Sequence, residues 1–258
     1  MDKAKIHPTG DFIARRVPWR LKLWYQSIVW RSSYSYWPHA RFRSHQALLD
    51  LNYDLAIEGF PRSGNTYARE MLQQFQAGRL SIKSHGHTPP FVLWAVQHGK
   101  PVILLIRSPH DAIVSWHIFT GLPLTYIAAQ YDLYYRILLP YREQVCLVQF
   151  DHLKASFVDV IRACNDRFGL DLSTAFDEEA CRQAAFQNID RPYKGMDGEL
   201  DPSRVNRPLA ARQNLKQRIE AHLSPAYESA LARANGVYAA WLGERKQVTR
   251  PVPTASKN

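Results

Sequence analysis

The sequence of 258 residues is poor in cysteine. Its three cysteines, Cys146, Cys164 and Cys181, lie far apart, and none belongs to a CxxC pair. Neither a disulfide framework nor a structural zinc site is therefore indicated. Because Cys146 and Cys164 fall within apolar patterns, we predict that both are buried, reduced thiols, which suits the reducing cytoplasm.

Long apolar runs are also missing. The N-terminus opens with polar and basic residues and shows neither the apolar core nor the cleavage site of a signal peptide, so we expect none. The most apolar early stretch, residues 21–30, is interrupted by Lys22 and Gln26. A membrane-spanning helix needs roughly twenty apolar residues, and we expect no such helix.

Acidic residues are comparatively few. The sequence has 33 Lys and Arg but only 23 Asp and Glu, which gives a net charge of +10. This excess favours an anionic partner, although a merely solvated basic surface would give the same count. Nine of the Lys and Arg and four of the seven Trp lie within residues 1–50. We interpret residues 1–50 as a basic, aromatic N-terminal extension, residues 51–245 as one domain and residues 246–258 as a flexible tail.

Within residues 51–245, short apolar runs alternate with helical patterns. Strands are predicted at residues 53–59, 80–83, 101–106 and 145–150, and helices at 65–77, 90–99, 109–119, 124–139 and 157–168. This alternation predicts an α/β fold, a three-layer sandwich with a central parallel sheet. Ligands of such sheets bind beyond the carboxyl ends of the strands, so the candidate site is expected there.

The first predicted strand ends in a phosphate-loop pattern without its lysine. Gly59 and Gly64 have the spacing of GxxxxGK[ST], and Thr66 takes the Ser/Thr position, but Asn65 stands where the lysine belongs. The N–H groups of such a turn and of the helix after it bind anions, and Arg62 adds a cation. A kinase or ATPase with this change would lose its main charge on the transferring phosphoryl group.

The third predicted strand is followed directly by Arg107. Ser108, Pro109 and Asp111 follow and are explained as an ordinary helix entry, with a capping hydroxyl, a proline at the first position and an acid in the first turn. Arg107 and Ser115, two turns into the helix, are not explained in this way. An arginine fork and a hydroxyl at a strand end can both bind a phosphate.

Together the two loops resemble those of sulfotransferases that use 3′-phosphoadenosine 5′-phosphosulfate (PAPS). Residues 61–66 (PRSGNT) resemble the family's PxSGxT loop for the 5′-phosphosulfate, and residues 107–115 resemble its 3′-phosphate segment. The resemblance implies a P-loop NTPase-like sulfotransferase fold. It also implies that PAPS is bound by Arg62, Ser63, Gly64, Asn65, Thr66, Arg107 and Ser115.

The segment Lys83-Ser84-His85 resembles the family's Lys-Thr-His, whose histidine acts as general base on the acceptor hydroxyl. By this resemblance His85 is the base, and Lys83 and Arg62 stabilise charge on the leaving nucleotide. His87 is the alternative base. A surface role for His85, or a metal held by the two histidines, is the other interpretation, although no Cys or carboxylate cluster completes a metal site.

Weaker resemblance continues downstream. Phe150 stands where the family often has a nucleotide-contacting tyrosine, and residues 193–198 resemble the KGxxG loop that closes over the 3′-phosphate. This resemblance assigns Lys194 and Gly195 to the nucleotide. The alternative cations for that role are Arg204, Arg207 and Arg212.

The sequence thus predicts a PAPS-dependent, metal-independent sulfotransferase that acts on a hydroxyl acceptor, for example a glycan or a lipid-linked sugar. Two alternatives stay open, a nucleotide kinase or NTPase with a rearranged loop, and a basic adaptor for membrane or nucleic acid. The leading interpretation expects no nucleic acid. For residues 1–50, the mixture of aromatic and basic side chains leaves two interpretations, an arm that packs on the core and peripheral contact with an anionic inner membrane face.

Overall fold

A computed structural model describes residues 17–34, 50–76, 79–193 and 210–243. The strands are β1 Leu55–Gly59, β2 Ile82–Ser84, β3 Val102–Ile106 and β4 Cys146–Gln149. They form one parallel sheet in the spatial order β2–β1–β3–β4. Every residue of β1 and β3 is buried, as expected for strands covered on both faces.

The course of the chain through the sheet reverses next to β1. The chain leaves β1 for β2 at the edge, then crosses back over β1 to enter β3 on its other side. Ile57 of β1 accordingly pairs with Ser84 on one side and Ile103 on the other. In such sheets the crevice at the reversal, beyond the carboxyl ends of the strands, is the usual ligand site.

Helices cover both faces of the sheet. They are α1 Trp19–Val29, α2 Asn65–Phe75, α3 Pro89–Gln97, α4 Pro109–Thr120, α5 Leu124–Leu138, α6 Phe150–Ala155, α7 Phe157–Phe168, α8 Glu178–Asp190, α9 Ala210–Glu220 and α10 Pro225–Leu242. Two short 3₁₀ segments, Leu139–Gln144 and Arg191–Tyr193, are also present. One apolar core joins the sheet to α3, α4, α5 and α10, and the other joins it to α2, α6, α7 and α8.

The limits of α7 show how local sequence fixes these helices. The hydroxyl of Ser156 accepts a hydrogen bond from the N–H of Asp159, at 3.2 Å, and so caps the helix start. Gly169 ends the helix with a φ of 64°, a left-handed conformation that glycine adopts without strain. Between these limits, Val160, Ile161 and Cys164 face the core.

The three-layer α/β architecture predicted from the sequence is confirmed. The predicted strands match β1 to β4 within one or two residues, except that Phe150 begins α6 instead of ending a strand, because pairing with β3 stops at Gln149. Cys146 and Cys164 are buried thiols, and burial raises the pKa of Cys146 to about 11. Residues 246–258 lie outside the described residues, and the domain limits at 50 and 245 stay predictions.

Candidate active site

The end of β1 and the loop that leads from it to α2 pack tightly against their neighbours. At two positions, this packing leaves no room for a side chain. A Cβ on Gly59 would lie 2.5 Å from the carbonyl oxygen of Leu105 in the neighbouring strand. A Cβ on Gly64 would lie 2.9 Å from Leu153 Cδ2, and Gly64 has a φ of 102°, which disfavours every residue except glycine. Both glycines of the phosphate-loop pattern are therefore required by the backbone path.

Helix α2 begins without a side-chain cap, since Gly64 occupies the capping position. The first N–H groups of a helix have no partner within the helix, and the helix dipole gives this end partial positive charge. The start of α2 can therefore bind an anion through the backbone of residues 65–67.

Two predicted nucleotide-binding side chains point into the protein. Ser63 is fully buried, and its hydroxyl lies 3.4 Å from the hydroxyl of Tyr135. The amide of Asn65 donates to the carbonyl oxygen of Gly59 at 3.1 Å. The residue that replaces the phosphate-loop lysine thus joins the end of β1 to the start of α2, and a ligand at the helix start would meet its backbone N–H.

A hydrogen-bond network joins the ends of β1 and β3. Arg62 Nε donates to Ser115 Oγ at 3.0 Å, and the Arg62 guanidinium lies 5.4 Å from the ring centre of Phe119. Arg107 Nη1 donates to the backbone carbonyl of Arg62 at 3.1 Å. Residues predicted from two separate motifs therefore meet at the crevice where the strand order reverses.

Aromatic side chains support the cations of this network. The guanidinium of Arg107 lies 4.4 Å from the ring centre of Phe150, and Lys154 Nζ lies 4.7 Å from the same ring, so both form cation–π contacts. Burial lowers the pKa of Arg107, yet a guanidinium stays charged in proteins. Phe150, which lacks the tyrosine hydroxyl of the family pattern, instead offers its ring face to two cations.

Two tyrosines of α5, one turn apart, form hydrogen bonds with the backbone at the ends of β1 and β3. The Tyr131 hydroxyl donates to the carbonyl of Arg107 at 2.6 Å. The Tyr135 hydroxyl donates to the carbonyl of Leu105 at 2.7 Å and accepts from the N–H of Phe60 at 3.2 Å. Because both tyrosines are fully buried, they hold the ends of β1 and β3 in a set geometry.

The loop after β2 brings two histidines to the same edge. His85 Nε2 lies 3.1 Å from Thr66 Oγ1, a residue of the phosphate-loop pattern. His87 Nδ1 lies 3.2 Å from the carbonyl oxygen of Gly59, and since a carbonyl only accepts, His87 carries its proton on Nδ1. The contact with Thr66 joins His85 to the start of α2.

Backbone strain is concentrated at this site. Among the described residues, three other than glycine have a positive φ, namely Arg62 at 69°, His85 at 70° and His87 at 48°. Such conformations cost free energy, on the order of 1–3 kcal/mol each, and occur most often where function requires them. All three residues belong to the candidate site.

A buried carboxyl group holds the histidine loop. Glu58 is fully buried in β1, and its two oxygens accept from the N–H of Gly86 at 2.5 Å and of His87 at 3.0 Å. Burial raises the pKa of Glu58 to about 8, while the backbone hydrogen bonds oppose the rise. Glu58 thereby fixes the turn that presents His85.

The protonation state of His85 follows from its surroundings. Burial above all, together with the nearby His87 and Arg69, lowers its pKa to about 4. The imidazole is therefore neutral around pH 7 and can accept a proton.

The remaining predicted site residues are not brought into these contacts. Lys83 Nζ lies 3.7 Å from a carboxylate oxygen of Asp50, five residues before β1 begins. Lys194 and Gly195 lie outside the described residues, as do Arg204, Arg207 and the side chain of Arg212. Within the described part of the chain, no three His, Cys, Asp or Glu side chains lie together as a metal site would require.

Sequence reasoning missed Glu58, the two tyrosines of α5 and Phe119. Glu58 carried a signal, because a lone acid inside a buried strand is rare unless it is paired or hydrogen-bonded. The tyrosines and Phe119 carried none, since their contacts join residues that are far apart in sequence.

Comparison with solved structures finds several similar chains. The chain is similar to mouse sulfotransferase SULT7A1 complexed with PAP, at 14% identity and a TM-score of 0.43, over 78% of this chain and 91% of that chain. No family model matches the sequence, and no curated protein matches it. At this level of similarity, the chemistry has to be inferred from the residues of this chain.

Proposed function

We propose that the chain is a sulfotransferase that transfers a sulfuryl group from PAPS to a hydroxyl acceptor. The observation that carries the proposal is the network of Arg62, Ser115 and Arg107 at the reversal of the strand order. Beside it lies the uncapped start of α2. Two neighbouring positive sites, one of backbone N–H groups and one of side chains, suit a nucleotide with phosphates at both its 5′ and 3′ positions.

In this proposal the start of α2, Thr66 and Arg62 hold the 5′-phosphosulfate, and Arg107 and Ser115 hold the 3′-phosphate. The bond between Arg62 and Ser115 is compatible with these roles, because a guanidinium has five N–H donors and a hydroxyl both donates and accepts. Lys194 and Gly195 keep their predicted role over the 3′-phosphate.

PAPS supplies the sulfuryl group together with a good leaving group, adenosine 3′,5′-bisphosphate. Transfer forms a bond from the acceptor oxygen to sulfur and breaks the bond from sulfur to the bridging oxygen. His85 takes the proton of the acceptor hydroxyl, since its imidazole is neutral near pH 7. Arg62 and the N–H groups of α2 stabilise the negative charge on the leaving oxygen, and Lys83 is proposed as a further cation.

The structure gives a reason to disfavour a nucleotide kinase. In kinases of the phosphate-loop type the lysine reaches the terminal phosphates. Here the corresponding Asn65 is 4% exposed and bonds to Gly59, so its side chain cannot take over that contact.

Calorimetry with two nucleotides tests the donor. We expect adenosine 3′,5′-bisphosphate to bind and to raise the melting temperature, and ATP with Mg²⁺ to do so far less. Tighter binding of ATP that is strengthened by Mg²⁺ would contradict the proposal.

Substitution of the histidines tests the base. His85→Ala should bind adenosine 3′,5′-bisphosphate normally, whereas transfer should fall by about 10²–10⁴-fold, the usual contribution of general base catalysis. His98→Ala, on an exposed residue at the end of α3, is the matched control and should transfer normally. Near-normal turnover in His85→Ala, with a loss in His87→Ala, would assign the base to His87.

A further inference from the structure

Helix α1 carries an apolar stripe on its outer face. Leu21, Trp24, Tyr25 and Ile28 are 52%, 60%, 45% and 52% exposed, and their spacing places them on one side of the helix. Of the six large apolar side chains that are exposed in the described residues, these four form a single stripe. Scattered exposed apolar residues are normal, whereas a contiguous set indicates an interaction surface.

The opposite face of α1 is fixed to the core. The ring of Trp19 lies 6.1 Å from that of Tyr126, and Gln26 accepts a hydrogen bond from Gln130 at 3.1 Å. Trp30, directly after the helix, is buried in the core. Packing on the core therefore accounts for Trp19 and Trp30, whereas Leu21, Trp24 and Ile28 stay exposed on the outer face.

The sequence on both sides of α1 carries charge of one sign. Residues 12–49 contain seven Lys and Arg and no Asp or Glu, and Arg20 and Arg31, within or next to α1, are exposed. An apolar stripe flanked by cations is the pattern of helices that lie in the interface of an anionic membrane. A second copy of the chain is disfavoured as the occupant, because it would bring two cationic segments together.

We propose that α1 docks the protein on a membrane that contains anionic lipids, with Leu21, Trp24, Tyr25 and Ile28 in the interface. The start of α1 packs on Tyr126, and Tyr131, about one turn farther along α5, bonds to the carbonyl of Arg107. Docking would thus bring the side of the molecule that carries the candidate site close to a lipid-borne substrate. No described helix could cross a membrane. The attachment that we propose is peripheral. Docking does not depend on the enzymatic activity proposed above.

Vesicle sedimentation of the full chain tests the proposal. We expect binding to vesicles of phosphatidylcholine with phosphatidylglycerol, weakening as salt is added, and little binding to phosphatidylcholine alone. Trp24→Ser with Ile28→Ser should lower the partition coefficient at least tenfold, because both side chains enter the interface. Arg20→Ala with Arg31→Ala should lower it by about 30-fold, roughly fivefold for each cation.

The matched control is Arg162→Ala with Arg167→Ala, which removes the same charge from α7 on the opposite layer. This variant should keep most of the vesicle binding. All three pairs alter exposed or half-exposed side chains, and their melting temperatures show whether each variant is folded.

Three results would overturn the proposal. The first is an absence of vesicle binding together with a lowered melting temperature in Trp24→Ser with Ile28→Ser, which would mean that another part of the chain covers the stripe. The second is a dimer in sedimentation equilibrium that this variant dissociates, which would assign the stripe to a second copy. The third is vesicle binding that both α1 variants retain, which would place the membrane contact elsewhere.

Discussion

The ends of β1 and β3 are neighbours in the sheet and each leads into a helix, yet the two loops present positive charge differently. After β1, helix α2 starts without a side-chain cap, so its N–H groups face the loop. After β3, Ser108 caps α4 by accepting from the N–H of Asp111 at 3.4 Å, and Pro109 lacks an N–H altogether. We therefore propose that an anion at the second loop is bound by the side chains of Arg107 and Ser115.

The two loops also differ in backbone conformation. Arg62 and Gly64 have positive φ angles of 69° and 102°, whereas Ser108 has an ordinary φ of −47°. The first loop is therefore held in shape by the groups around it, including Leu153, Phe150 and Tyr135. The second loop follows the ordinary rules of helix initiation, and Tyr131 of α5 adds one hydrogen bond to its Arg107 carbonyl.

Gly64→Ala should break the first loop and have the largest effect. The left-handed backbone costs about 1–2 kcal/mol for alanine, and the crowded Cβ, 2.9 Å from Leu153 Cδ2, adds about 1–3 kcal/mol. We expect a lower free energy of unfolding in urea and weaker nucleotide binding.

Gly121→Ala is the matched control for this substitution. Gly121 has a φ of 69°, but a Cβ there would meet nothing within 4 Å. The free energy of unfolding should therefore fall only by the cost of the left-handed backbone. Equal losses in the two variants would show that the contacts with α6 do not hold the first loop.

The same contrast explains what the sequence could predict. The glycine spacing at 59 and 64, the cap at Ser108 and the apolar runs of the strands are local signals, and they led to the two loops and to the parallel sheet. The contact of Glu58 with the loop at 86–87 joins residues 28 and 29 apart in sequence, and the hydroxyl bonds of α5 span 24 to 75 residues. Such contacts depend on the assembled fold, and no local pattern in one sequence indicates them.

The sequence also could not show how residues 1–50 divide between core and surface. Trp19, Trp24 and Trp30 are the same residue type, but they differ in their place around α1 and at its end. Trp30 is 7% exposed and Trp24 is 60% exposed. Only packing on the assembled core decides which of these rings is buried.

Glu58→Gln should change how stability depends on pH, because β1 carries a buried carboxyl group near its end and β3 does not. In the folded protein the pKa of Glu58 is raised to about 8 from a reference of 4.5. Between these values the folded state binds more protons than the unfolded state, so stability falls as pH rises. Glu58→Gln has no carboxyl group at this position, so its stability should not fall for this reason. The free energy of unfolding of the variant minus that of the native protein should therefore rise on the order of 1 kcal/mol per pH unit from pH 5 to 8.

Urea unfolding of both proteins across this range measures the difference directly. His85, whose pKa is lowered to about 4, is present in both proteins, so its own titration largely cancels. Parallel pH profiles of the two proteins would show that Glu58 is ionised throughout and that its two N–H partners outweigh its burial.

Arg107→Ala should weaken a ligand that has a 3′-phosphate more than a ligand that lacks one, which tests whether the two loops bind different phosphates. Loss of a hydrogen bond to a charged group costs about 1.5–3 kcal/mol, so affinity for adenosine 3′,5′-bisphosphate should fall about 10- to 150-fold. AMP lacks the 3′-phosphate, and its affinity should change little. Arg62→Ala should instead weaken both nucleotides, since Arg62 is placed at the 5′ side. Equal weakening of both ligands by Arg107→Ala would indicate that Arg107 acts by holding the carbonyl of Arg62.

Ser108→Ala should have the smallest effect, and it tests whether the second loop needs its cap only for folding. The Ser108 hydroxyl accepts from the N–H of Asp111 and donates to an Asp111 carboxylate oxygen at 2.9 Å. Loss of an N-terminal cap costs about 1 kcal/mol, and urea unfolding should show this loss. Ser156→Ala, which removes the equivalent cap of α7 on the other layer, should lose a similar amount. Nucleotide affinity should be unchanged in both variants, because the cap bonds are made within the protein. A selective fall in affinity for adenosine 3′,5′-bisphosphate in Ser108→Ala would instead place this hydroxyl on the 3′-phosphate, and the second loop would then bind its anion with more than Arg107 and Ser115.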